Sequence, residues 1–249
     1  MPLDVHALLT ARAAQLNADL AEASAETILD HALRDARLGE VAMVSSFGAD
    51  SVVLLHLLAQ IDPTRPVLFL ETGMLFSETL AYQREVAETL GLTDIRVIRP
   101  DAADLFMHDP DGELNRVDTD ACCAIRKVKP LELSLQGFDA WITGRKRIHG
   151  GARASLPLFE VDGPHIKINP LAKWSGAELA AYMERHALPR HPLVANGFTS
   201  IGCAPCTTST LPGEDPRAGR WRASEKAECG IHFDGARIWP ASPKTDASL

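Results

Sequence analysis

Short apolar runs alternate along this chain with longer amphipathic segments. The spacing predicts buried strands over residues 41–45, 67–70, 95–99, 140–143 and 166–169. Between them, apolar positions recurring every three or four residues predict helices over 52–60, 77–90 and 120–136, the last kinked or ended by Pro130. Two helices, over 5–21 and 25–36, precede the first strand. Another opens on the capping box Ser175-x-x-Glu178 and runs to about His186. Strands alternating with helices predict an α/β fold, a parallel twisted sheet with helices on both faces. Ligands of such sheets sit beyond the carboxyl ends of the strands, so the loops after Ser45, Leu70 and Thr143 are the places to look for chemistry. From Thr207 the pattern dissolves into Pro, Gly and charge. Residues 207–249 therefore read as a mobile arm on a domain formed by residues 1–206.

Composition narrows the partners. The chain has 249 residues, 46% hydrophobic and 23% charged, enough to bury a core without staples. Its net charge of -8 argues against a nucleic-acid partner, whose footprint is strongly basic. The longest apolar runs, such as residues 52–58, fall short of the ~18 residues that a membrane span needs. The first six residues carry neither the basic nor the apolar region of an export signal, so a cytoplasmic protein is expected. Five cysteines in a reducing compartment suggest metal binding or catalysis before disulfides.

Three groups of residues carry candidate chemistry. The first is Ser45-Ser46-Phe47-Gly48-Ala49-Asp50-Ser51, which joins a strand directly to a helix. Gly48 permits a tight turn, the hydroxyls donate, and the helix start supplies unpaired N–H groups, which together suit a phosphate or sulfate. It is neither a Walker A loop nor a dinucleotide turn, and a plain capped connection is the bland alternative.

The second group is the vicinal pair Cys122-Cys123 with Cys203-x-x-Cys206. Four thiols suit zinc or an iron–sulfur cluster. Adjacent helical residues point ~100° apart, which fits two corners of an iron–sulfur cube more easily than one zinc ion; zinc and a redox dithiol stand as alternatives. Arg126 and Lys127 are four residues beyond the two cysteines and share their helical face, while Lys129 reads as a solvated charge. Cys229, with His232 three residues on, reads as an accessible nucleophile, or else as an incidental surface thiol.

The third group is basic. Gly144-Arg145-Lys146-Arg147 follows the fourth strand, and Arg217 and Arg220 precede Trp221. Arginines suit bidentate contacts to phosphate or sulfate.

The turn at residues 45–51 resembles the PP-loop of the adenine-nucleotide alpha hydrolase superfamily, Ser-Gly-Gly-x-Asp-Ser, with Phe47 in place of the first glycine. Taken with Thr72-Gly73-x-x-Phe76, Cys122-Cys123-x-x-Arg126-Lys127, Trp141-Ile-Thr-Gly144, Cys203-x-x-Cys206, Arg217-x-x-Arg220-Trp221 and Glu228-Cys-Gly-Ile-His232, the chain resembles the assimilatory adenylyl-sulfate reductases. These form the thioredoxin-dependent, iron–sulfur branch of the phosphoadenylyl-sulfate reductase family. The resemblance implies the PP-loop fold and one [4Fe-4S] cluster on Cys122, Cys123, Cys203 and Cys206. It implies attack of Cys229 on adenosine 5′-phosphosulfate, expulsion of AMP, and release of sulfite from a Cys S-sulfonate by thioredoxin or glutaredoxin. Ser45, Ser46, Gly48 and Ser51 would line the phosphosulfate loop, and Thr72, Gly73 and Phe76 the adenosine. Lys127, Arg217, Arg220 and His232 would bind the sulfate or organise Cys229. Many relatives carry Gly-Leu-Arg-Arg-Asp-Gln where this chain has Gly144-Arg-Lys-Arg-Ile-His149, so the basic substrate contact falls to Lys146 or Arg147. The resemblance allows a homo-oligomer. Reduction of the 3′-phosphorylated substrate, or of both, is the nearest alternative; a tRNA-thiolating PP-loop enzyme and a zinc-stapled interaction module are more distant ones.

Overall fold

Residues that alternate along one strand separate onto the two faces of a sheet. The computed structural model, which describes residues 4–222 with Lys226, Glu228, Gly230 and Ile231, follows that rule closely. In chain order its elements are α1 (Val5–Asp19), α2 (Ala25–Arg34), β1 (Val41–Ser45), α3 (Ser51–Ile61), β2 (Val67–Leu70), α4 (Ser77–Leu90), β3 (Ile95–Ile98), α5 (Ala102–His108), α6 (Leu114–Val117), α7 (Thr119–Cys123), α8 (Lys129–Ser134), β4 (Ala140–Ile142), β5 (Phe159–Asp162), β6 (His165–Ile168) and α9 (Gly176–Arg185). Val41, Met43, Val67, Phe69, Ala140 and Ile142 enter the main core with the helices α1 to α4 and α9. Ala42, Leu68, Leu70 and Trp141 face the other way, against Leu131 and Leu135. Each fully buried leucine contributes ~1.5–3 kcal/mol. Helix α3 sends Val52, Val53, Leu54, Leu55, Leu57 and Leu58 inward, so it is enclosed on nearly all sides.

The strand order is β3-β2-β1-β4-β6-β5. All pairings are parallel except β5 with β6. The expected parallel sheet is therefore present, with an added antiparallel strand at one edge. That edge strand turns through Gly163 at φ +59°, where a tight hairpin needs a positive φ. Asn17 of α1 pairs with the backbone of Phe159, donating to its carbonyl at 2.6 Å and accepting from its N–H at 3.0 Å, which covers the open edge. From β1 the chain steps outward to β2 and β3, then returns to place β4 on the other side of β1. The crevice between the ends of β1 and β4 is thus the topological switch point.

The helix predicted over 120–136 is divided. Asp118, not Asp120, caps α7, its carboxylate accepting from Ala121 N–H at 2.9 Å. A π turn over Ala124–Val128 follows, and α8 begins with Pro130 near its start. The wider turn carries both Arg126 and Lys127 inside. The stretch 207–222, read from sequence as the start of an arm, is held on the domain. Thr208 N–H donates to Gly219 at 2.8 Å and Trp221 N–H to Cys206 at 3.0 Å, and the Trp221 ring is buried. No helix among the described residues is long and apolar enough to cross a membrane.

Candidate functional site

At the switch point lies a cleft of about 220 Å³. Its floor is the β1–α3 turn. Phe47 sits there at φ +46° with its ring fully buried, edge-on to Phe69 at 5.2 Å. That anchor holds a left-handed backbone that glycine would adopt freely. Gly48 N–H donates to Ser51 Oγ at 2.9 Å, and Phe47 N–H to Ser45 Oγ at 3.2 Å. A Cβ on Gly48 would stand 3.2 Å from the Ile201 carbonyl, so the turn is packed beneath the segment that leads to Cys203. Ser45, Ser46, Gly48 and Ser51 all line the cleft.

The loop after β4 supplies the opposite wall. Lys146 is buried, with Nζ 3.0 Å from the Gly144 carbonyl and 3.6 Å from Asp50 Oδ2. Burial holds its pKa below the ordinary lysine value, with Asp50 acting against the shift. Of the two residues proposed for this role, Lys146 lines the cleft; Arg147 turns away and donates from Nε to the Leu156 carbonyl at 2.8 Å. Arg145 is ion-paired with Glu160. Arg153, which sequence reasoning missed, also lines the cleft; its only sequence signal was a basic residue shortly after the Gly144 segment. Its guanidinium donates to His149 Nδ1 at 3.1 Å. Burial, then the charges of Lys146, Arg153 and Arg217, push the His149 imidazole down to about 3, so it is neutral near pH 7.

The third wall comes from the loop after β2 and from residues 199–221. Thr72 lines the cleft, and its Oγ1 lies 3.2 Å from Cys203 Sγ. Gly73 and Phe76 are not among the lining residues. Gly73, at φ +73°, lets Arg126 approach: a Cβ there would stand 3.2 Å from Nη1. Phe76 precedes α4 and packs edge-on to Phe198 at 5.6 Å. Arg220 stacks over the Trp221 ring at 4.4 Å, and Arg217 lies 5.8 Å from the same ring. Arg220 occupies the space above Gly202, where a Cβ would fall 2.5 Å from its Cζ. Arg217, Arg220 and Lys127 all face the cleft.

Behind Lys127 the two cysteine pairs meet. Cys122, Cys123 and Cys203 are buried, Cys206 is half-buried, and none of the four is in a disulfide. Their charges act on one another. Burial, then Cys123, push the Cys122 thiol up to about 12, against the pull of Arg126. Burial and Cys203 raise Cys206, while Lys127, Arg220 and Lys226 lower it. The Cys203 turn is tied to the β2 loop by Ala204 N–H donating to Met74 O at 2.8 Å. A buried, sulfur-only donor set ringed by cations fits a multinuclear iron–sulfur cluster. Among the described residues, no three Cys, His, Asp or Glu side chains stand close enough together to hold a metal ion, so the fit rests on the chemistry of the four thiols. Arg126, expected to face the thiols, is also committed elsewhere: Nη2 and Nε meet Asp109 Oδ2 at 2.6 and 3.1 Å. Lys129 pairs with Asp104 at 2.5 Å. Cys229 and His232 lie outside the described residues.

A doubly wound sheet with a PP-loop at its switch point, facing a basic cleft, is the fold of the adenine-nucleotide alpha hydrolases. Residues 40–209 match the phosphoadenosine phosphosulfate reductase domain, and the chain belongs to that family. Adenosine 5′-phosphosulfate reductase of Mesorhizobium japonicum is 49% identical over 241 residues, spanning 97% of this chain and 93% of its own. The protein of that name from a Chelativorans species is 48% identical over 224 residues, spanning 90% and 91%. Among solved structures, phosphoadenylyl-sulfate reductase from Candida auris superposes with a TM-score of 0.68 at 26% identity, covering 79% of this chain and 96% of that one.

Proposed function

We propose that this protein reduces adenosine 5′-phosphosulfate to sulfite and AMP in assimilatory sulfate reduction. The observation that carries this reading is that Lys127 joins the PP-loop serines, Arg217 and Arg220 around one cleft while its helix also bears Cys122 and Cys123. The relatives' names supply the substrate class.

The PP-loop amides and hydroxyls hold the α-phosphate, and Lys146 adds charge at the β4 side. Lys127, Arg217 and Arg220 gather the sulfate oxygens and spread the negative charge that grows as the S–O bond breaks. The Cys229 thiolate attacks the sulfate sulfur, a Cys229 Sγ–S bond forms, and AMP leaves with the bonding electron pair. A thiolate of reduced thioredoxin or glutaredoxin then attacks Cys229 Sγ and expels sulfite. The carrier's second thiol resolves the mixed disulfide, so the carrier is oxidised by two electrons and Cys229 returns as a thiol. A [4Fe-4S] cluster on Cys122, Cys123, Cys203 and Cys206 would supply fixed charge and a rigid anchor for the Lys127 helix. Thioredoxin supplies the electrons.

Reduction of the 3′-phosphorylated substrate is the second reading, favoured by the Candida auris neighbour. Two of the basic residues that would take a 3′-phosphate have partners inside the protein: Arg145 with Glu160, and Arg147 with a backbone carbonyl. That supports the unphosphorylated ribose. The test is Cys229→Ser: sulfite and AMP formation should cease while iron and acid-labile sulfide stay at wild-type content. Retained turnover would remove Cys229 as nucleophile.

A further inference from the structure

The described surface divides its charge between two faces. The cleft gathers Lys127, Lys146, Arg153, Arg217 and Arg220. The stretch leading into the cysteine helix is the reverse: residues 101–120 carry seven carboxylates and, of Lys and Arg, only Arg116. Asp104, Asp109 and Glu113 are ion-paired, with Lys129, Arg126 and Arg116. Asp101 and Asp118 cap α5 and α7 and are exposed, as is Asp111. On the same stretch stand the two most exposed large apolar side chains among the described residues, Val117 at 85% and Phe106 at 74%, with Met107 at 69%. Single exposed apolar residues need no explanation, but three so close in the chain, rimmed by acids, have the make-up of an interaction surface.

This face is fixed to the thiol region. The Asp109–Arg126 and Asp104–Lys129 pairs tie it to the π turn and to α8, and Leu114 N–H donates to Asp109 Oδ1 at 2.8 Å. Two described residues on either side of Cys229 in the chain meet the same helical stretch. Lys226 Nζ donates to the Thr119 carbonyl at 3.2 Å and pairs with the Asp120 carboxylate, and a Cβ on Gly230 would stand 3.7 Å from Val128. The two faces also sort partners by charge. Cations around the cleft repel a basic protein, whereas the acids of residues 101–120 attract one, which steers it to α5–α7 and leaves the anion site clear.

We propose that α5, α6 and the start of α7 form the docking surface for the dithiol carrier protein that reduces this enzyme. The carrier meets Phe106, Met107 and Val117 with an apolar patch beside its reactive thiol, ringed by Lys or Arg. Docking adds no chemical step; it holds the carrier where its thiolate can reach the sulfur it attacks. This rests on the reading that a Cys229 S-sulfonate is reduced by such a carrier.

The experiment uses the full, cluster-loaded chain and two reductants: reduced thioredoxin, which has a surface to dock, and dithiothreitol, which has none. The variants are the pairs Phe106→Ser with Val117→Ser and Asp111→Lys with Glu113→Lys, all at exposed positions outside the cleft. Each pair should lower kcat/KM for thioredoxin ~10-fold. The KM for adenosine 5′-phosphosulfate and the dithiothreitol-driven rate should stay at wild-type values. Added salt should raise the wild-type KM for thioredoxin, and the charge-reversed pair should respond less. Unchanged kcat/KM for thioredoxin in either pair overturns the proposal, as does an equal loss with dithiothreitol. If the wild type releases no sulfite with either reductant, the reduction reading falls, and calorimetry with thioredoxin decides docking alone. Weaker binding by the Phe106→Ser, Val117→Ser pair than by wild type then upholds the surface; equal or absent binding overturns it.

Discussion

Arg126 and Asp109 form a buried ion pair that ties the cysteine helix to the loop before it, with Nη2 2.6 Å from Oδ2 and both side chains under a tenth exposed. Arg126 Nη1 also donates to the Thr72 carbonyl at 2.8 Å, so one guanidinium joins the thiol region to the end of β2. Removing one partner of such a pair leaves the other charge stranded. Arg126→Met should lower unfolding stability by ~3–5 kcal/mol in urea titration, and Asp109→Asn in the same chain should recover part of that loss. A loss below ~1 kcal/mol would mean that the pair is solvated.

Phe47 sets backbone strain against side-chain burial. Its left-handed backbone costs ~1–2 kcal/mol, whereas deleting a buried phenyl ring costs ~3–5 kcal/mol. Burial wins, so Phe47→Gly should be less stable than wild type by ~2–4 kcal/mol. Phe47→Ala loses the ring and keeps the strain, and it should fall ~1 kcal/mol below Phe47→Gly. Thermal or urea unfolding decides the order; an alanine variant as stable as the glycine variant would contradict the strained turn.

His149 gives the protein a signature in acid. With its folded pKa at about 3 and an unfolded value of 6.5, the unfolded chain binds a proton that the folded chain refuses between those limits. Stability from this group is complete above pH 6.5 and drains away as pH falls toward 3, at no more than ~1.4 kcal/mol per pH unit. His149→Gln, which retains an acceptor for Arg153, should show a shallower decline over that window. Equal slopes for the two proteins would place the imidazole in solvent.

Much of this organisation is legible in the chain. The continuous apolar runs at residues 41–45 and 67–70 give the central strands and the loops that face the ligand, because both faces of a parallel sheet are covered. The edge strand Phe159–Asp162 is harder to read: it is four residues long, and two of its residues are charged. Its best signal was the Asp162-Gly163 pair ahead of a second apolar run. The π turn left no periodic trace, since one extra residue per turn does not register in so short a segment. For the site, motif spacing marked the four thiols and the PP-loop. Arg153 escapes a sequence reading because its meaning is its contact with Glu228, 75 residues on in the chain. Lys146 and Arg147 could not be ranked without knowing which way each points. A motif does not distinguish touching a ligand from packing a neighbour, and Gly73 and Phe76 both have neighbours in Arg126 and Phe198.

The most direct test of the account is sulfite release by anaerobically purified protein with reduced thioredoxin, comparing adenosine 5′-phosphosulfate with its 3′-phosphorylated form. The account predicts sulfite from the first, with a kcat/KM at least ~10-fold above that for the second, a difference of ~1.4 kcal/mol in transition-state binding. Equal or reversed preference would contradict the internal pairing of Arg145 and Arg147 as the source of selectivity. No sulfite from either substrate, in cluster-loaded protein, would contradict the reaction itself.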